Sequence, residues 1–206
     1  MGILSETIQT LLQQPDWRYK YTAVMALSQI GEYIDEPEKI SSILQMIIGF
    51  MRDSNSMLRY ASCHAIGQIS DDMQPKFQEV YGNNVLPELI NLLNDQVPRV
   101  VSHSAAALTN FLEGMKWEQV QGSLQQLVTL LLEHIGKGIS LVKESCLSAI
   151  SSVVEVAKEN YAPFLENTVR LMFDFFENEK YSSKEYKQLK GQSIETLTII
   201  ASSVGG

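Results

Sequence analysis

The sequence predicts an all-α chain built as a superhelix of about five stacked helical hairpins. Three observations carry this. Nearly every long segment places apolar residues at i, i+3, i+4 and i+7, the period of a helix with one buried face. Gly, Pro, Asn and Asp gather at the junctions between these segments. One short pattern also returns along the chain at nearly constant spacing.

The elements justify this in order. Residues 3 to 14 and then YTAVMALSQIGEYI (21 to 34) form the first helical pair. A Leu/Ile-rich helix over about 38 to 52 precedes YASCHAIGQISDDM (60 to 73) in the second, and the two quoted stretches align at an offset of 39, Tyr21 on Tyr60, Ala26 on Ala65, Gln29 on Gln68 and Ile30 on Ile69. Helices over about 83 to 94, 119 to 135 and 163 to 178 precede the third, fourth and fifth copies, in which Ala65-Ile66 becomes Ala107-Leu108 after 42 residues, Ala149-Ile150 after a further 42 and Thr196-Leu197 after 47. The expected units are residues 1–36, 37–73, 74–115, 116–159 and 160–206 of one continuous solenoid. Pro37, Pro75, Pro87 and Pro163 are expected at or near helix starts, where a missing amide hydrogen does little harm. In the turn Asp53-Ser54-Asn55, matched by Asp95, side-chain oxygens cap the helix that follows. Paired helices repeating every ~40 to 47 residues match HEAT or armadillo arrays rather than the shorter tetratricopeptide and ankyrin units, and the absence of a third short helix favours HEAT.

Bulk composition narrows the function. With 24 acidic and 16 basic residues the net charge is −8, which argues against nucleic acid as a direct partner, since neutralising phosphates needs a Lys/Arg surplus. The apolar runs are too short to span a bilayer, so no membrane partner is expected. The two cysteines, Cys63 and Cys146, suggest no disulfide framework and fit a reducing compartment.

The cluster MLRYASCHAIGQISDD (57 to 72) raises the question of a metal or catalytic site. Helical neighbours fan out by about 100° each, so Cys63 and His64 diverge. Cys63 aligns with Val24, Ala105 and Leu147 and belongs to the core. His103 and His134 have no ligand partner at metal-binding spacing, and Gly136-Lys137-Gly138-Ile139-Ser140 lacks the order of a phosphate loop. No catalytic residue, metal or cofactor is expected.

A different set stands out in the repeat register. Glu32, Asp71, Glu113 and Glu155 share one position in four of the five copies, Ser202 breaking the series, and Gln29, Gln68, Asn110 and Ser152 stand one turn earlier. On the helix over 60 to 73, Tyr60, His64, Gln68 and Asp71 face away from Ser62, Ala65, Ile66 and Ile69. Stacked hairpins would turn these positions into an acidic column beside a polar ladder on the concave surface. Acids near helix C-termini oppose the local dipole, so their recurrence points to use. Either the acids merely keep an exposed face solvated, or the column binds Lys/Arg of an extended peptide, with the amides bonding its backbone and Tyr21 and Tyr60 covering its aliphatic stems. A convex groove near Ile47, Phe50 and Phe175 is a second expected surface. Cut ends would leave Leu11, Leu12, Ile199 and Ile200 partly exposed.

The stretches LRYASCHAIGQ with Asp72 and PKFQ (75 to 78), WRYKYTAVMALSQIGE, HSAAALTNFLE, LVKESCLSAISSVVEVAKENYAPF and LKGQSIETLTIIASSVG resemble consecutive central repeats of the importin-beta (karyopherin-beta) family. The resemblance implies a nuclear transport receptor that shuttles between cytoplasm and nucleus through the nuclear pore, takes up cargo by its nuclear localisation signals, contacts Phe-Gly nucleoporins and yields cargo to Ran in its GTP form. An alternative is a HEAT scaffold that organises a multiprotein complex outside transport.

Overall fold

The computed structural model describes residues 2–30, 33 and 37–204, and among them the regular structure is helical throughout. Helix α1 (Gly2–Leu12) pairs with α2 (Trp17–Leu27), α3 (Ser41–Phe50) with α4 (Ser56–Asp72), and α5 (Lys76–Leu92) with α6 (Pro98–Glu113). After the single turn α7 (Trp117–Val120), α8 (Leu124–Lys137) pairs with α9 (Ser140–Ala157), and α10 (Leu165–Glu177) with α11 (Lys187–Val204). The second members of the pairs, α2, α4, α6, α9 and α11, pack side by side in chain order as one layer.

Local chemistry sets the starts. The Asp16 carboxylate accepts the Arg18 amide to open α2, and Asn55 accepts that of Met57 to open α4. Pro98 occupies the first turn of α6. Three starts differ from the expectation, the fourth outer helix beginning at Leu124 rather than near 119, after the separate turn α7. Helix α5 begins at Lys76, not near 83, and carries Pro87 inside it on an exposed face, without ending the helix. The fifth outer helix begins at Leu165, because Pro163 lies in the 3-10 segment Lys158–Phe164.

A continuous apolar core runs between the two layers, from Ile8 and Leu12 to Leu189 and Ile200. Cys63 belongs to it, fully buried, as do Ile47 and Phe175. The last two therefore do not line a convex groove: they point inward toward the paired helix. Leu12 and Ile200 are likewise buried, because each terminal helix still has packed neighbours, while Leu11 and Ile199 are half-buried. At Gly67 a Cβ would stand 3.2 Å from the Cα of Ala107 and 3.3 Å from its Cβ, so the missing side chain lets α4 and α6 approach closely.

Specific polar ties cross between hairpins. Arg59 of α4 forms a two-pronged pair with Asp95, and Arg52 pairs with Glu88. The Ser102 and Ser145 hydroxyls meet at 2.8 Å, and the Ser151 hydroxyl donates to Thr196 at 3.0 Å. Lys143, buried at the start of α9, donates to the carbonyls of Ile135 and Gly136 at the end of α8, where a cation complements the helix dipole. Burial, and then the charge of Lys180, hold its pKa below the usual lysine value.

Candidate functional site

The exposed face of the inner layer is written in stripes. Along α6, Arg99, His103, Ala106, Asn110 and Glu113 follow one another at steps of three or four and so share a side of the helix. The equivalent stripe on α4 runs through His64, Gln68 and Asp71, and that on α9 through Leu141, Ser145, Ser148, Ser152 and Glu155. Each stripe ends in an acid at the C-terminal end of its helix.

Asp71, Glu113 and Glu155 are all exposed. Partial burial, and then the charges of Asp71 and of Glu155, raise the pKa of Glu113 above the ordinary carboxylate value. The middle acid thus senses both of its neighbours, as three members of one row must. Glu32 lies outside the described residues. Glu113 and Glu155 flank a concavity of about 650 Å³ reaching Trp117 and Asn160. On the other side they line a smaller hollow floored by Ser151, Ser152 and Thr196.

The rest of the expected site is modified. Tyr60 is buried at 9 % exposure rather than open, since the flanks of the inner helices are covered by their neighbours. Its ring stacks with Tyr21, 6.5 Å between centroids, meets His103 edge-on at 4.3 Å, and lies 4.3 Å below the guanidinium carbon of Arg99. Arg99 holds the place expected for a ligand's lysine stem. Tyr21 is half-buried and packs against Trp17. His64 is half-buried, with Tyr60 and His103 each 6.5 Å away.

The polar ladder is largely engaged within the chain. Asn110 donates its amide N–H to the Gly67 carbonyl at 3.1 Å, tying α6 to α4. Gln68 donates to Asp72 at 2.9 Å, and Gln29 to the Ser28 hydroxyl at 3.1 Å. Ser152 is buried at 4 %. One Asn110 amide hydrogen is thus taken up by the neighbouring helix, and Ser152 is covered.

Sequence reasoning missed Glu144 and Glu195. Glu144 lines a hollow beside Asn110 and Gln192, and its pKa is raised by burial. Glu195 lines the hollow that holds Glu113 and Glu155. Single-position matching compared Glu155 with Ser202, but the whole stripe of α11 (Gln188, Gln192, Glu195, Ile199) carries its acid two turns earlier. Following the stripe would have found it.

Burial pushes the Cys63 thiol up to about 12, which keeps it protonated and inert. Among the described residues no three His, Cys, Asp or Glu side chains are placed to hold a metal ion, and no helix is long and apolar enough to cross a membrane. Gly136 and Lys137 close α8, Gly138 and Ile139 make the turn, and Ser140 opens α9.

The arrangement has known counterparts. The family described as "Stalled ribosome sensor GCN1-like, HEAT repeats" matches residues 2–143. Importin subunit beta-3 of Saccharomyces cerevisiae is 31 % identical over 98 % of this chain, which spans 18 % of that relative's length. The karyopherin Kap121p, solved bound to the extreme C-terminus of the protein phosphatase Cdc14p, superposes with a TM-score of 0.87 at 29 % identity over 97 % of this chain and 19 % of its own. A variant of Kap121p in which three acidic residues, each about one repeat from the next, are replaced by lysine superposes equally well, at 28 % identity. The chain belongs to the HEAT-repeat proteins and, within them, to the importin-beta (karyopherin-beta) family.

Proposed function

We propose that this chain is the cargo-reading segment of a nuclear transport receptor, and that it binds basic nuclear localisation signals along the acidic row Asp71, Glu113 and Glu155. The single observation behind this reading is that the three carboxylates recur once per hairpin on adjacent inner helices, close enough for Glu113 to feel both others. No cation of the chain forms an ion pair with any of them among the described residues. A basic ligand would relieve their mutual repulsion as well as pair with them. Two features of Kap121p support the reading: it binds a terminal segment of another protein, and acids at one-repeat spacing were the ones chosen for replacement by lysine in it.

Charge sets the scale. Exposed pairs contribute about 0.2 to 1 kcal/mol each, so three give about 0.6 to 3 kcal/mol, or roughly threefold to 150-fold in affinity. Tight capture needs apolar contacts too, and half-buried Trp117 at the edge of the Glu113–Glu155 concavity is placed to supply one. Glu32 would extend the row. Ran-driven release, contacts with Phe-Gly nucleoporins and shuttling between cytoplasm and nucleus belong to the whole receptor, of which this chain is a part.

The test is fluorescence anisotropy with a labelled peptide carrying lysines at intervals of three residues. Asp71→Lys with Glu113→Lys should weaken binding at least tenfold without changing the helical circular dichroism. Equal binding by the folded double variant removes the proposal.

A further inference from the structure

The acidic row occupies only the C-terminal ends of the inner stripes. At the other end of the same stripes stand one cation, Arg99 on α6, and two imidazoles, His103 on α6 and His64 on α4. Arg99 is exposed and enters no ion pair among the described residues, its guanidinium resting on the Tyr60 ring. The neighbouring cations are compensated locally: Arg18 pairs with Asp16, Arg59 with Asp95 and Arg52 with Glu88. Arg99 is not.

The histidines add to this end. His103 Nδ1 lies 3.1 Å from the Arg99 carbonyl, and a carbonyl only accepts, so Nδ1 carries the hydrogen. Nε2 of the neutral ring is then bare and takes up a proton when an anion arrives. Burial, and then the charges of Arg99 and His64, hold His103 below the ordinary histidine value, and no carboxylate among the described residues pulls it the other way. Glu144, on the neighbouring helix α9, is not among the charges it senses. Stacking on Tyr60 restrains the Arg99 side chain, which lowers the entropy lost when it binds.

We infer that Arg99, His103 and His64 form an anion subsite on the same face as the acidic row, taking a carboxylate or phosphoryl side chain of the peptide whose lysines lie on Asp71 and Glu113. This rests on the reading of the acidic row as a peptide site. The distance between the two ends is defined by the helix: the seven residues from His64 to Asp71 rise roughly 10 Å. A peptide that crosses α4 and α6 at the acidic row turns along the helix axes beyond its last lysine and covers that offset in three or four extended residues. The ligand class is therefore a bipolar peptide, with basic residues followed or preceded at that interval by an acidic or phosphorylated one.

The experiment uses the 206-residue chain and four labelled peptides that share the same lysines. They carry Gln, Glu or phosphoserine four residues to one side, or phosphoserine four residues to the other. Relative to the Gln peptide, Glu should bind about two- to fivefold tighter, and phosphoserine on at least one side at least as much tighter. The gain should vanish in Arg99→Gln with His103→Gln, while the Gln peptide's affinity stays unchanged. Equal or weaker binding of the Glu and phosphoserine peptides, or a gain that survives the double variant, overturns the inference and leaves the acidic-row reading standing. Nuclear magnetic resonance of the histidine rings probes the patch separately: inorganic phosphate should raise the titration midpoint of His103 in the wild type but not in Arg99→Gln. No movement there refutes the subsite whatever the lysine peptides do, and movement without any lysine-peptide binding refutes the acidic row instead.

Discussion

Asp95→Asn removes one charge from the tie between the second and third hairpins, and the structure specifies what is lost. The Asp95 side chain is 5 % exposed; its Oδ2 lies 2.6 Å from Nε of Arg59 and its Oδ1 3.0 Å from Nη2, while Oδ1 also accepts the Val97 amide at 2.8 Å. Nη1 of Arg59 donates to the carbonyls of Asp53 and Ser54, so a single guanidinium holds two turns together. Burial pushes the Asp95 carboxyl up, but the Arg59 hydrogen bonds, the Val97 amide and the guanidinium charge outweigh it, leaving a pKa below the ordinary carboxylate range. Asparagine keeps the volume, turns an N–H toward Arg59, and leaves that cation unneutralised. Breaking one partner of a buried pair costs about 3–5 kcal/mol. Arg59 is 16 % exposed and keeps two carbonyls, so the expected loss is about 2–3 kcal/mol, read from urea unfolding at pH 7. Combining it with Arg59→Met should cost less than the sum of the single losses, by about 1–2 kcal/mol. The pH dependence has a definite sign. A carboxyl depressed in the folded state stabilises above its unfolded value, near 3.9, and loses that contribution as pH falls through the lower folded value. The wild-type and Asp95→Asn stabilities should therefore converge below about pH 4. A loss under about 0.5 kcal/mol at pH 7, strict additivity, or a gap that does not narrow as pH falls below about 4 would refute the reasoning.

Three further outcomes are expected. Gly67→Ala should be nearly neutral, because about 1 kcal/mol of helix propensity offsets a contact a few tenths of an ångström too close to Ala107, whereas Gly67→Leu should cost about 2–3 kcal/mol in urea unfolding. Lys158, at φ 49°, occupies backbone space that glycine takes without strain, so Lys158→Gly should raise stability by about 1 kcal/mol, seen as a higher thermal midpoint. Glu113→Gln should stabilise by about 0.2–0.5 kcal/mol at pH 7 by removing a partly buried charge and its repulsion from Asp71 and Glu155; because the folded carboxyl titrates above its unfolded value, that gain should fade as pH falls through the folded value toward the unfolded one, near 4.3.

The hairpins and the acidic row were legible because both repeat. An offset of 39 or 42 carries Tyr21 onto Tyr60 and Asp71 onto Glu113 whatever the packing, and stacking then brings equal positions together. What depends on packing between repeats was not legible. Tyr60 belongs to the outward side by period alone, yet Arg99 and His103 from the next hairpin cover it. Asn110 belongs to a ladder by register, yet its amide reaches the Gly67 carbonyl of the adjacent helix. The Arg99 and histidine patch joins non-equivalent positions of two copies, so no alignment of the copies reveals it. Pro87 misled for a local reason: exposed proline is tolerated inside a helix, and the period continues through it.

The absent side chain at Gly67 also calibrates a length. Parallel helices separated only by a hydrogen and a methyl sit near the short end of the ~8–10 Å range of axial separations, and Asp71 and Glu113 ride on those two axes. A strand laid across them advances roughly 3.3 Å per residue, so the gap is worth two or three residues of ligand. One position that touches no ligand would thus decide which beat of positive charges along a partner's chain falls in step with the carboxylates.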